Sequence, residues 1–171
     1  QTAGQADQAQ PEEETPALTW NLSLTSDYVF RGITQTNFDP ALQGGLDYSF
    51  GDSGIYVGTW ASNVDFDDPD GPDIELDSYI GWSHDVSDDW NLDLSFVHYA
   101  YLGEKEAYGS VNYNEFIVKN TWHEHATLLV GYAPDYANAD ISTWYVNLGG
   151  TWDVGDDFAR GDSVVFDGQD S

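Results

Sequence analysis

The chain has 171 residues, 31 of them acidic against 4 lysines and arginines, for a formal net charge of −27, and it contains neither cysteine nor methionine. Such a charge repels phosphate backbones and excludes a nucleic-acid partner, while the missing cysteines exclude disulfide frameworks, thiolate metal sites and cysteine nucleophiles. Apolar residues at 40% and aromatics at 15% suffice for one ordered domain, and no run approaches the about 18 apolar residues of a spanning helix, which leaves spanning strands open.

Residues 1–17 (QTAGQADQAQPEEETPA) are rich in Gln, Glu, Pro and Ala without apolar period and read as a disordered N-terminal tail. The leading Gln, with no basic or apolar leader behind it, fits a chain whose export signal has been removed. A β-barrel domain is expected over residues 18–154. It opens on Leu18, Trp20, Leu22 and Leu24, separated by Thr19, Asn21 and Ser23, with Tyr28 and Phe30 continuing the apolar parity. Period two predicts a strand with one apolar and one polar face. Segments 42–50 and 55–63 are less regular. In the second, Ile55, Val57 and Ala61 compete with Tyr56, Trp60 and Val64, so the outward parity stays open there.

The alternation then sharpens. Ile74, Leu76, Ile80 and Trp82 alternate with Glu75, Asp77, Tyr79 and Gly81, and Trp90, Leu92, Leu94 and Phe96 alternate with Asn91, Asp93 and Ser95. Phe116, Val118 and Trp122 oppose Glu115, Lys119 and Thr121, segment 126–133 follows, and Trp144, Val146, Leu148, Trp152 and Val154 oppose Tyr145, Asn147 and Thr151. Eight strands result. The acidic segment 155–171 reads either as a shortened end or as an extra strand.

Long polar connections at 32–40, 65–72, 103–111 and 134–140 alternate with short ones at 51–54, 85–89 and 123–125. That order predicts an all-β, antiparallel up-and-down transmembrane barrel with short periplasmic turns and long extracellular loops, and a soluble sandwich has no reason to keep it. Trp20, Trp90, Trp122 and Trp152 fall near the short-turn ends, and Tyr28, Phe30, Tyr101 and Trp144 near the long-loop ends, as two interfacial girdles would.

Asp27, Arg31, Asp47, Glu75, Asp77, Asp93, Glu115 and Lys119 occupy the polar parity and are expected to face a lumen. Arg31 reads as a charge that shapes ion passage or as an internal clamp on a carboxylate, and the clamp is favoured; Lys119, between Glu115 and Asp93, is read the same way. Crowded carboxylates attract cations, although high-salt adaptation of the whole chain explains the acidity more simply. Asp65, Asp67, Asp68, Asp70 and Asp73 crowd nine loop residues and form a candidate site for a loosely bound calcium or magnesium ion, without EF-hand spacing. His123 and His125 share a parity across a tight turn, where a metal is disfavoured. No nucleophile-elbow, phosphate-loop or zincin motif is present, so no catalytic residue and no enzyme is expected.

Segments SDYVFRG (26–32), Gln35-Thr36, DPALQGGLDY (39–48), GTWASNVDF (58–66) and ELDSYIG (75–81) together resemble the signature of the TorF-type, Gcw_chp-like family of bacterial outer-membrane porins. The similarity extends over about residues 18–153. It implies a Gram-negative outer-membrane β-barrel, exported through the periplasm, with membrane lipid as partner and passive passage of small solutes or cations as function. It brings no catalytic residues. The acidic end at residues 155–171 departs from the family pattern, whose members usually continue with further strands. The alternatives are a non-conducting structural or interaction barrel, by homo-oligomerisation or surface partner binding, and a lipocalin-like carrier with its apolar parity turned inward.

Overall fold

The structure is a computed structural model that describes residues 17–123, 125–153 and 159–170. Among these it forms eleven strands, two single 3-10 turns and no α-helix. The strands are β1 (Leu18–Thr25), β2 (Val29–Phe30), β3 (Ile33–Thr34), β4 (Ala41–Ser49), β5 (Ile55–Asn63), β6 (Ile74–Ser87), β7 (Trp90–Leu102), β8 (Tyr113–Trp122), β9 (Ala126–Ala133), β10 (Ser142–Asp153) and β11 (Ala159–Asp170). Nine make one antiparallel meander in the order β1-β4-β5-β6-β7-β8-β9-β10-β11, and β2 and β3 form a separate two-stranded hairpin. Most of the expected tail, 1–16, lies outside the described residues, as do 154–158 and 171.

Eight of the nine meander strands are those that the alternation predicts. The ninth, β11, falls in the acidic segment 155–171, where Val164, Val165 and Phe166 supply strand-forming residues. Long and short connections alternate between them, and β6 and β7 are joined by only Asp88 and Asp89.

The described strands do not close into the expected barrel. Among the described residues β1 pairs with β4 and β11 with β10, leaving the far edge of each unpaired. In an up-and-down meander the first and ninth strands run in the same direction, so a ladder joining them directly would be parallel, whereas an even number closes antiparallel. β1 accordingly stands exposed on both faces.

The two faces of the sheet are sharply unequal. Trp20 is 73% exposed and Leu24 76%, and Leu22, Leu46, Ile80, Leu94, Phe116 and Leu148 are exposed on the same face. The opposite face buries Glu75, Glu115, Tyr99, Tyr101, Tyr113 and Tyr145. Register fixes the ambiguous β5. Tyr48 lies opposite Val57 and Gly45 opposite Trp60, so Ile55, Val57 and Ala61 face outward while Tyr56, Trp60 and Val64 turn in. The outer face is not wholly apolar: His98 and Asn114 lie 2.8 Å apart on it and satisfy one another.

The sheet curls around its polar face, because side chains from distant strands meet the same hairpin. Tyr28 reaches Trp60 of β5 edge-to-face at 5.3 Å, and Arg31 reaches both Glu115 of β8 and Tyr145 of β10. A core of Val64, Val97, Tyr99, Tyr101, Tyr113 and Ala133 fills this interior at the long-loop end.

Three inner glycines make the curl passable to large rings. Gly58 lies opposite Tyr79, Gly81 opposite Tyr56, and Gly131 opposite Tyr145, and in each case the tyrosine ring occupies the space a β-carbon would need. Each ring lies flat over the glycine of the next strand. Gly58→Ala should therefore lift the Tyr79 ring and destabilise the fold by about 1–3 kcal/mol. Urea unfolding should show this cost in the wild-type background and little of it in Tyr79→Ala; an equal cost in both backgrounds would contradict the packing.

Candidate functional site

Two expectations about the first strand fail together. The chain leaves the sheet after Thr25, and Tyr28, Phe30 and Arg31 belong to the hairpin and the residues beside it, not to an extended β1. Arg31 sits at φ 50° and Gly32 at φ 83°, so these two residues make the tight reversal that joins β2 to β3. Asp27 locks that reversal: one of its carboxylate oxygens accepts from the hydroxyls of Thr34 at 2.7 Å and Thr36 at 3.1 Å. Tyr28 and Phe30 thus pack inside and do not join an outer girdle, and Tyr101, expected beside them, is also buried.

Arg31 is a clamp, but across the interior and not to a neighbouring strand. Its Nη2 donates to Glu115 Oε1 at 2.6 Å, and its guanidinium lies 3.5 Å from the Tyr145 ring centre and 4.5 Å from that of Phe30. Burial works against the charge, but Glu115 beside it outweighs that and raises the guanidinium pKa above its ordinary value. Burial, then the Glu75 and Asp77 carboxylates, push the Tyr28 hydroxyl well above the usual phenol range, so it remains a donor.

Most of the remaining inner carboxylates are met by phenols. Tyr79 donates to Asp47 at 2.5 Å, Tyr56 to both oxygens of Asp93 at 2.9 and 3.0 Å, Tyr99 to Glu115 at 3.1 Å, and Tyr101 to Glu75 at 3.3 Å. Tyr79 bridges from β6 to β4 over Gly58, and Tyr56 from β5 to β7 over Gly81. Asp77 lies on the same inner face of β6, with one oxygen buried and unpartnered. These tyrosines belong to the candidate site, and the reading of charges missed them. Their signal was present: Tyr79 and Tyr145 sit in the polar parity of their strands.

Lys119 faces Asp93 in register, yet it is exposed and takes part in no ion pair among the described residues, because Tyr56 already holds Asp93. The loop aspartates do not converge. The backbone N–H groups of Asp67 and Asp70 donate to Asp65 and Asp68, and Asp70 also receives Lys105 at 2.6 Å. His123 lies 3.1 Å from Asp89. Among the described residues no three acidic or histidine side chains are grouped to hold a metal ion.

The aromatic rim is clearest at the short-turn end, where Trp20, Tyr48, Phe50, Trp82, Trp90 and Trp122 are exposed on the outer face. Tyr132 and Trp144 hold the corresponding position toward the other end. The Trp152 side chain lies outside the described residues.

A model of bacterial proteins of unknown function, Gcw_chp, matches residues 8–156. The chain belongs to the Gcw_chp family. No curated protein and no solved structure matches it. The match spans the hairpin, the clamp and every inner carboxylate described above.

Arg31→Ala should leave Glu115 buried without its cation and cost about 3–5 kcal/mol. Arg31→Lys should recover only part, because a point charge cannot reproduce a guanidinium stacked on Tyr145. Urea denaturation checks both. A loss below about 1 kcal/mol for Arg31→Ala would show that the clamp does not hold the hairpin.

Proposed function

We propose that this protein is an outer-membrane β-barrel whose acidic interior admits small cations. One observation supports the reading above the others: exposed leucines, tryptophans and phenylalanines share one face of the sheet, and carboxylates and tyrosines are enclosed by the other. Water gives no reason for that arrangement, whereas hydrocarbon outside and a polar interior give a direct one. The exposed tryptophans at the short-turn end suit a membrane interface, where an amphipathic ring meets both lipid and water.

The reading has a structural condition. A bilayer tolerates no unpaired strand edge, so β1 and β11 must be joined, directly or through further chain. It also limits size. The buried tyrosines, Val97 and the inserted hairpin fill the loop end, which suits small cations better than bulky solutes. Toward the short turns the inner face carries Asp47, Asp93, Ser95 and Asn147 and is less filled. The same filling favours a second reading, a non-conducting barrel that serves as a structural or interaction module.

Planar-bilayer recording separates the two. The cation reading expects a current whose reversal potential in a potassium chloride gradient marks cation preference, and a weaker preference in Asp47→Asn/Asp93→Asn. A folded, inserted protein that passes no current under either polarity would remove passage and leave the interaction barrel.

A further inference from the structure

The buried loop end holds three carboxylates and one guanidinium. Glu115 takes Arg31, which leaves Glu75 and Asp77 without a cation. They stand two residues apart on the inner face of β6, a spacing of about 7 Å between α-carbons that lets both carboxyl groups reach one point. Glu75 is 1% exposed, and only one of its oxygens is engaged, by the Tyr101 hydroxyl. Its Oε2 is buried with no partner, and so are Asp77 Oδ1 and the hydroxyl of Tyr113, a residue only 4% exposed. Three buried oxygen atoms without a hydrogen bond therefore lie around Glu75, with the Tyr28 hydroxyl beside it. Groups so placed are costly unless something binds them.

We propose that Glu75 and Asp77 hold one small monovalent cation, with the buried tyrosine hydroxyls completing its oxygen shell. The charge count favours a cation over an anion or a neutral ligand. A monovalent ion is favoured because a hard divalent ion either takes six to eight oxygen ligands or keeps several of its own waters, more than this tyrosine-packed interior accommodates, and no group of three acidic or histidine side chains is assembled among the described residues. Neighbouring tyrosine rings add electron-rich faces that favour a cation. Sodium and potassium share this chemistry. The inference rests on the cation-passage reading for the ion's route, and it makes this pair the point where a passing ion would pause.

Binding can be read without any current. In the folded full chain in detergent, sodium-23 NMR should show a broadened component that potassium displaces and N-methylglucamine does not. The thermal midpoint should stand about 5 °C higher in sodium chloride than in N-methylglucamine chloride at equal ionic strength, for a cation about tenfold above its Kd. Glu75→Gln/Asp77→Asn should lose both effects, while Asp65→Asn/Asp67→Asn on the exposed loop keeps them and so controls for the diffuse charge of the surface. Equal midpoints of the wild-type protein in the two salts, with no displaceable broadening, would overturn the site and leave protons as the neutralising species. A sodium effect in a protein that passes no current would keep the site and remove only passage.

Discussion

A sheet that encloses carboxylates with almost no cations to neutralise them must find other donors, and this chain uses phenols. Four tyrosine hydroxyls donate to four carboxylates on the inner face, and a single guanidinium reaches one of them as well. A hydrogen bond to a charged group contributes about 1.5–3 kcal/mol, and a buried charged carboxylate left without one costs more than the about 1–3 kcal/mol of a neutral group. The tyrosines thus decide where acidic residues can be buried, and they do it with rings large enough to double as core. The inner face is polar by chemistry and well packed by volume.

Geometry follows from that choice. A phenol that must reach a carboxylate two strands away has to cross the strand between, and it can do so closely only where that strand has no side chain. Gly58 and Gly81 provide the crossings for Tyr79 and Tyr56, and Gly131 does the same beneath Tyr145 on its way to Arg31. Neighbouring strands are thereby tied in threes as well as in pairs. At the long-loop end the hairpin of β2 and β3 supplies the last donors. Its Arg31 and Tyr28 enter an interior that the loops knit from outside, through Lys105 on Asp70 and a bridge from Thr36 to Asp65.

Period-two alternation made eight strands legible, with their order of long and short connections, because the pattern is local and repeated along every strand. The polar parity also contained the acidic residues that the inner face holds. What stayed hidden depends on contacts distant in sequence. Arg31 and Glu115 are 84 positions apart, and nothing near Arg31 announces that the chain leaves the sheet after Thr25 and folds back through Arg31 and Gly32 instead of continuing β1. Tyr28 and Phe30 keep the outward parity and still go inside, because Asp27, Thr34 and Thr36 bend the backbone between them and β1. The parity of β5 was ambiguous since Tyr56 and Trp60 are apolar enough to pass for lipid-facing residues, and only pairing with Gly81 and Gly45 assigns them. Closure was not legible for a simple reason: alternation counts strands one at a time, and whether the two outer edges meet shows only when the whole ladder is laid out.

The two faces make the same demand at every strand, and the cysteine-free sequence allows it to be examined one position at a time. Single cysteines introduced at Leu46, Ile80, Leu94 and Val130 on the outer face, and at Asp47, Ser83, Ser95 and Asn147 on the inner face, can each take a nitroxide in the protein reconstituted into lipid vesicles. Relaxation by oxygen, which partitions into hydrocarbon, should be strong at the first four and weak at the second, with a water-soluble nickel chelate showing no access to the first four. Chelate access at Ile80 and Leu94 equal to that at exposed Asp88 would mean that the apolar face meets water, and the arrangement of lipid outside and carboxylates within would be wrong.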